Sequence, residues 1–197
     1  MQEKSGKERI LAAARLLMLE KGFEATSIDE ICEKAEVAKG TFFYHFENKE
    51  ALAKATVGYH MQLGADMLGE ADFWKKRDPL QRFLGYIDFT IACVKDPVKD
   101  GCLLGVLSGD MARSHPEIIS ACGTGFSGWT QSLKQIIEEI RKKYSPRSKI
   151  NSESLAKLFI STFEGALILA KATGDTEAVK SALEHYKTYV KQQFTTK

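Results

Sequence analysis

"TSIDEICEKAEVAKGTFFYHFENKEAL", Thr26 to Leu52, contains two helix starts and one abrupt break in a short span. Ser27 with Glu30 three residues later forms a capping box, which satisfies two of the free N–H groups at a helix start. Ile28, Ile31, Cys32 and Ala35 then fall on one apolar stripe at helical spacing. That helix stops near Glu36-Val37-Ala38, and a second, short one is predicted over Gly40 to Phe46. Asn48 is placed to cap a longer helix beginning at Lys49. Two short helices with a tight joint are the sequence form of a helix-turn-helix.

The second of these helices carries Phe42, Phe43, Tyr44, His45 and Phe46 in succession, so its rings point all round the axis. With Thr41 at 0° and about 100° per residue, Phe42 and Phe46 fall near 100° and 140°, Phe43 near 200°, and Gly40, Tyr44, Thr41 and His45 at roughly 260°, 300°, 0° and 40°. The first pair is expected to be buried on the Ile28/Ile31 and Ile10/Leu17 stripes, with Phe43 at the border. The last four combine a glycine with three side chains that each have an apolar body and a polar tip. Such a face suits the DNA major groove, where Thr41 reaches a base edge and Tyr44 and His45 reach phosphates or bases. Thr26 and Ser27 stand at a helix start that favours a phosphate oxygen, and Lys39 and Lys49 add charge at either end. The plain alternative is an aromatic-rich surface helix, or one packed against the rest of the protein.

Composition neither requires nor excludes this reading. The 197 residues carry a formal net charge of +2, too little to argue by itself for nucleic acid or an anionic membrane. Acidic side chains slightly outnumber basic ones in the first 55 residues, so DNA affinity there depends on Lys7, Lys39, Lys49 and Lys54 facing phosphates. Cys32, Cys93, Cys102 and Cys122 form no CxxC or Cys/His pattern, so neither a metal site nor a disulfide framework is expected, and a reducing cytoplasm fits. No apolar run approaches the roughly 18 residues of a spanning helix, and Ile10 to Leu19 lacks the form of a signal peptide. A soluble cytoplasmic protein, without cofactor or membrane partner, is the expectation.

The rest of the chain reads as helix. Ser5 and Glu8 form another capping box, followed by Ile10, Ala14, Leu17 and Met18 until Gly22 supplies a stop, with Phe23 folding back. Further helices are predicted at about 49 to 70, 79 to 95, 103 to 113, 117 to 143, 152 to 172 and 176 to 194. They are separated at Asp78-Pro79, Asp96-Pro97 with Asp100-Gly101, His115-Pro116, Ser145-Pro146 and Gly174-Asp175. No alternating strand pattern occurs. The expected fold is all-α with about nine helices. A three-helix helix-turn-helix head over 1–48 precedes a larger bundle over 49–197.

The run from Thr26 to Leu52 resembles the DNA-binding signature of the TetR family of bacterial transcriptional repressors, and "RILAAARLLMLEKGFEATS" is similar to that family's first helix. The resemblance covers about the first 55 residues. It implies a homodimer, a double-stranded palindromic operator, and a C-terminal pocket whose small-molecule effector separates the two reading heads. By position, Thr26, Lys39, Gly40, Thr41, Tyr44, His45 and Lys49 occupy the family's usual DNA-contacting places. The family usually has tyrosine where this chain has Phe43, and glycine where it has Glu36. If the latter position needs positive φ, Glu36 costs roughly 1 kcal/mol.

In the C-terminal half, Leu155, Leu158, Phe159, Thr162, Phe163, Ala166, Leu167 and Ala170, with Gly165 and Ala166 allowing close helix approach, then Val179, Ala182, Leu183, Tyr186 and Val190, form apolar stripes on the last two helices. They are the expected dimer surface, as four helices from two chains, unless they face only their own core. Phe83, Tyr86, Phe89, Thr90, Cys102, Leu103, Leu107, Met111, Phe126, Trp129 and Leu133 offer more aromatic and sulfur surface than packing requires, which suits a mostly apolar ligand. A plain core is the competing reading. Gly123, Gly125 and Gly128 signal flexibility or close packing.

Cys102 precedes a helix, where a thiol's pKa is lowered, so a sensor of oxidants or electrophiles is an alternative function. His60, His115 and His185 read as surface or capping groups, and Arg141 to Lys149 as a basic helix end. No Ser/His/Asp arrangement or nucleotide loop is present, so no catalysis is expected. The reading is a ligand-responsive DNA-binding regulator, most simply a repressor. The alternatives are an all-α binding protein or enzyme with a non-functional head, and a protein-interaction adaptor using the Gly40 to His45 face.

Overall fold

The computed structural model describes residues 5–96, 101–111, 114–145 and 149–195. Among them are nine α-helices and no strand. The helices are α1 (Gly6–Lys21), α2 (Ile28–Ala35), α3 (Lys39–His45), α4 (Lys49–Gly69), α5 (Pro79–Cys93), α6 (Leu103–Met111), α7 (Pro116–Tyr144), α8 (Ser152–Thr173) and α9 (Ala178–Thr195), and a 3-10 turn spans Asp72–Lys75. The expected breaks at Pro97, Asp100 and Pro146, and a helix end at Arg113, lie outside the described residues. Two compact units form: one from 1–66 with 102–126, the other from 67–101 with 127–197.

In the first unit both capping boxes form. Ser5 Oγ accepts from the Glu8 N–H while Glu8 accepts from the Ser5 N–H at 2.9 Å, and Ser27 and Glu30 repeat the pattern. Asn48 Oδ1 accepts from the Ala51 N–H at 2.7 Å and so starts α4. Ile10, Ala14 and Met18 of α1 are fully buried, as are Ile31 of α2, Phe42 of α3, Leu52 of α4 and Leu103, Leu104 and Leu107 of α6. Burial of this kind, rather than propensity, holds helices as short as α2 and α3.

The turn between α1 and α2 is held from several sides. Gly22 has φ of 81°, and a Cβ there would stand 2.2 Å from Asp110 Oδ2, so both its conformation and its crowding require glycine. Phe23 N–H donates to Asp110 Oδ2 at 3.3 Å, and Lys49 Nζ donates to the Phe23 carbonyl at 3.0 Å. The Phe23 ring meets the His115 ring edge-on at 5.0 Å and lies 4.1 Å from Lys49 Nζ. His115, expected at the surface, is thus part of this packing. Gly125 is a second close approach, since a Cβ there would stand 2.6 Å from Leu104 Cδ2. Around Gly123 and Gly128 the same atom would meet nothing within 4 Å.

α2 ends at Glu36, whose φ of 53° is left-handed, and the Val37 N–H reaches back to the Cys32 carbonyl at 3.0 Å. This ending favours glycine. Because the Glu36 side chain is exposed, Glu36→Gly will stabilise the first unit by about 1 kcal/mol, read from urea denaturation. An unchanged or lower midpoint would show that the backbone is not strained there.

His60 departs from expectation too. Its Nδ1 accepts from Arg15 Nε at 3.0 Å, joining α4 to α1. Burial first, and then the Arg15 charge, lower its pKa from 6.5 to about 4. The unfolded chain therefore binds the proton more readily between those values, and stability falls as pH drops through that window. From pH 7 to pH 5 the loss is roughly 2 kcal/mol, to be seen by calorimetry and to vanish in His60→Gln.

In the second unit, Asp78 Oδ1 accepts from the Gln81 N–H at 2.9 Å and Pro79 occupies the first turn of α5. Phe83, Tyr86, Phe159 and Tyr186 form a continuous ring-on-ring core, with Tyr86 and Phe159 centroids 5.3 Å apart and Phe159 and Tyr186 5.4 Å apart. Tyr186 Oη donates to the Leu155 carbonyl at 2.9 Å. Asn151 caps α8, and Gly174 with φ of 73° ends it.

Candidate nucleic-acid interface

α3 carries no side-chain cap and is only seven residues long, so what it presents is decided by what it buries. Phe42 is 0% exposed and Phe46 6%, as the wheel requires. Phe42 supports its neighbours, with Phe43 edge-on at 5.2 Å and Phe46 tilted at 5.9 Å. On the other side Tyr44 is 83% exposed, its ring edge-on to His45 at 4.9 Å. Gly40 is exposed and a Cβ on it would meet nothing within 4 Å, leaving the backbone open to close approach.

The outward face is turned from where periodicity places it. Thr41 and His45 are half-buried against the start of α1: a Cβ on Gly6 would lie 3.2 Å from Thr41 Cγ2 and 3.8 Å from His45 Nε2. Phe43, expected at the border, is 52% exposed. The open sector is Lys39, Gly40, Phe43 and Tyr44, with Thr41 and His45 on its flank beside α1. A contact between α1 and α3 is long-range, and no local pattern in α3 reveals it.

Three further positions need correcting. Thr26 is 1% exposed, and its hydroxyl donates to the Gly22 carbonyl at 2.6 Å, so it stabilises the α1–α2 turn rather than facing outward. Lys49 is half-buried, and its ammonium donates to the Phe23 and Thr26 carbonyls, both at 3.0 Å. Ser27 is exposed, but its hydroxyl and N–H are engaged with Glu30. These residues build the platform on which α2 and α3 stand.

The charges that do face outward are partly matched. Lys39 Nζ lies 2.6 Å from Asp29 Oδ1, and this hydrogen bond raises the lysine's pKa, keeping it charged. Lys54 lies 3.2 Å from Glu117. Lys7 is exposed near the start of α1. Exposed pairs like these hold weakly and exchange readily for another anion.

The expected pocket residues fall into both units. Cys102, Leu103, Leu107 and Met111 are buried and Phe126 half-buried in the first; Phe83, Tyr86 and Leu133 are buried and Phe89, Thr90 and Trp129 half-buried in the second. Trp129 Nε1 donates to Tyr86 Oη at 2.7 Å. An open surface groove of about 460 Å³ in the second unit is lined by Phe73, Lys76, Gly85, Asp88 and Phe89 with Glu70 to Asp72. Of the expected pocket residues, Phe89 alone belongs to that lining.

Most of the expected dimer stripe faces the core of its own chain. Leu155, Phe159, Phe163, Ala166, Val179, Leu183, Tyr186 and Val190 are buried within one chain, with Thr162 half-buried. A stripe largely covered by its own neighbours leaves little apolar area for a second copy. Leu158, Ile168, Leu169 and Tyr189 are the exposed apolar side chains of α8 and α9. Leu158, Gly165, Ile168 and Leu169 share one helix face, and a Cβ on Gly165 would meet nothing within 4 Å.

Among the described residues, no group of three or more His, Cys, Asp or Glu is placed to hold a metal ion. None of the helices is long and apolar enough to cross a membrane. None of the four cysteines is in a disulfide; Cys93 is exposed and Cys32, Cys102 and Cys122 are buried.

Comparison with known proteins agrees with this geometry. The family model for bacterial regulatory proteins of the tetR family matches residues 10–56, and that for the tetracyclin repressor-like C-terminal domain matches residues 79–186. The HTH-type transcriptional repressor NemR of Escherichia coli strain K12 is 28% identical over 95% of each chain. The uncharacterized HTH-type transcriptional regulator YvkB of Bacillus subtilis strain 168 is 40% identical over 85% of this chain and 84% of its own. The crystal structure of reduced E. coli NemR superposes with a TM-score of 0.79 at 27% identity, covering 93% of this chain and 96% of NemR. That of the regulatory protein TetR from Rhodobacter sphaeroides shares the fold, with a TM-score of 0.82 at 24% identity, covering 94% and 99%. With the head and most of the bundle both matched, the chain belongs to the TetR family of bacterial regulators.

Proposed function

We propose that the protein is a dimeric transcriptional repressor that binds a palindromic DNA operator through α3 and is released by a small, mostly apolar effector. The observation that carries it is the open sector of α3: a lysine, a bare glycine and two aromatic rings on a helix whose opposite side is fully packed. A monomeric soluble protein gains nothing from leaving two rings exposed on one short helix, whereas a major groove accepts them. The relatives named as repressors support the same reading.

Dimerisation through the Leu158, Gly165, Ile168, Leu169 and Tyr189 face would present two heads at about one DNA turn, roughly 34 Å. The effector would occupy the second unit. The open groove between the 3-10 turn and α5, with Phe73 and Phe89 on its walls and Lys76 at its edge, is the candidate entry to such a site. The effector would act by population shift, favouring a conformer whose heads no longer match the half-site spacing. Cys102 is buried in the first unit, which favours a packing role over a thiol sensor.

Enrichment of duplexes from a random pool tests this. The expected product is one palindrome whose affinity falls steeply with salt as phosphate contacts release counterions. A pool that yields no enriched sequence at low salt would overturn the assignment.

A further inference from the structure

We propose that Phe43 is a specificity-determining residue that reads the 5-methyl group of a thymine in each operator half-site. The inference rests on the DNA-binding reading and deepens it. Phe43 is 52% exposed on the same edge of α3 as Lys39 and Gly40, four and three residues before it, and next to Tyr44. A cation, an open backbone and two rings therefore face one way.

The phenyl ring has neither donor nor acceptor, so no phosphate or polar base edge can reward it. Of the four base pairs, those containing thymine present an apolar group in the major groove, and the others present amino, carbonyl or ring-nitrogen atoms there. Against a phenyl ring those polar atoms would lose water without a replacement hydrogen bond. Phe43 thus both favours an A·T pair and penalises a G·C pair at the position it covers. The ring is also held in place: it meets Phe42 edge-on at 5.2 Å and 78°, and Phe42 is itself fully buried. Little freedom remains to be lost on binding.

Substitution of deoxyuridine for thymine, one position at a time through the selected operator, removes the methyl group and nothing else. The expected result for the wild-type protein is one position per half-site where affinity drops about fourfold, the value of one buried methyl-sized group. That drop should disappear in Phe43→Ala and persist in Phe43→Tyr, which keeps the ring. A general weakening of the head by Phe43→Ala would lower all affinities together and leave the deoxyuridine penalty in place, so its persistence in that variant overturns the inference. A wild-type scan that is flat at every thymine also overturns it while the operator is still bound. Failure of the wild-type protein to bind any duplex overturns the DNA-binding reading and this inference with it.

Discussion

Phe23→Ala will destabilise the first unit by about 3–5 kcal/mol, the range for removing a fully buried phenylalanine, and will abolish operator binding. The side chain is 1% exposed, and its ring is packed against His115 and beneath the Lys49 ammonium. The Phe23 backbone N–H stays bonded to Asp110 and the Lys49 ammonium to the Thr26 carbonyl, so the surroundings are held and do not readily collapse into the space. The turn that fixes the angle between α1 and α2 would lose its anchor, and α3 its platform. Urea denaturation of the variant measures the effect, and a loss below about 1 kcal/mol would show that Phe23 is not the keystone of this turn.

The second large effect concerns the outer face of α8. Ile168 is 68% exposed and Leu169 53%, so replacing both with glutamate leaves the folded chain's own core untouched. In a dimer the same change buries two charges against apolar neighbours, at several kcal/mol. Sedimentation should then find monomer at micromolar protein. Operator affinity should fall by about 100-fold or more, because the second half-site no longer binds as an intramolecular event. Leu183→Ala, within the originally expected stripe, should instead lower folding stability by about 2–5 kcal/mol. An unchanged dimer in the Ile168/Leu169 variant would place the contact elsewhere.

The helices were legible because their ends are written locally. Ser5/Glu8, Ser27/Glu30 and Asn48 cap where their spacing says, and Gly22 and Gly174 stop helices with positive φ; the left-handed backbone at Glu36, left conditional by the family resemblance, is present. The inward pair of α3 was legible for the same reason, since Phe42 and Phe46 are four residues apart on one face. Side-chain assignments that depend on distant partners were not. Lys49 looks like a phosphate ligand until the Phe23 and Thr26 carbonyls are folded beside it, and His60 looks like a surface residue until Arg15 meets it. Thr41 and His45 lose exposure to Gly6, far away in sequence.

α8 carries two apolar stripes. Periodicity selected the stronger one, which packing within a single chain had already used. Leu158, within the expected stripe, is exposed together with Ile168 and Leu169 outside it, and this exposed face is the one proposed above for a second copy.

The most direct test of the account is the affinity of the selected operator for Tyr44→Ala, compared with wild type by fluorescence anisotropy, with unfolding measured alongside. Tyr44 is 83% exposed, so its loss should leave stability within about 0.5 kcal/mol. If α3 lies in the groove, affinity should fall by roughly tenfold or more. Unchanged affinity, with the operator still bound, would mean that the protein meets DNA through some other surface.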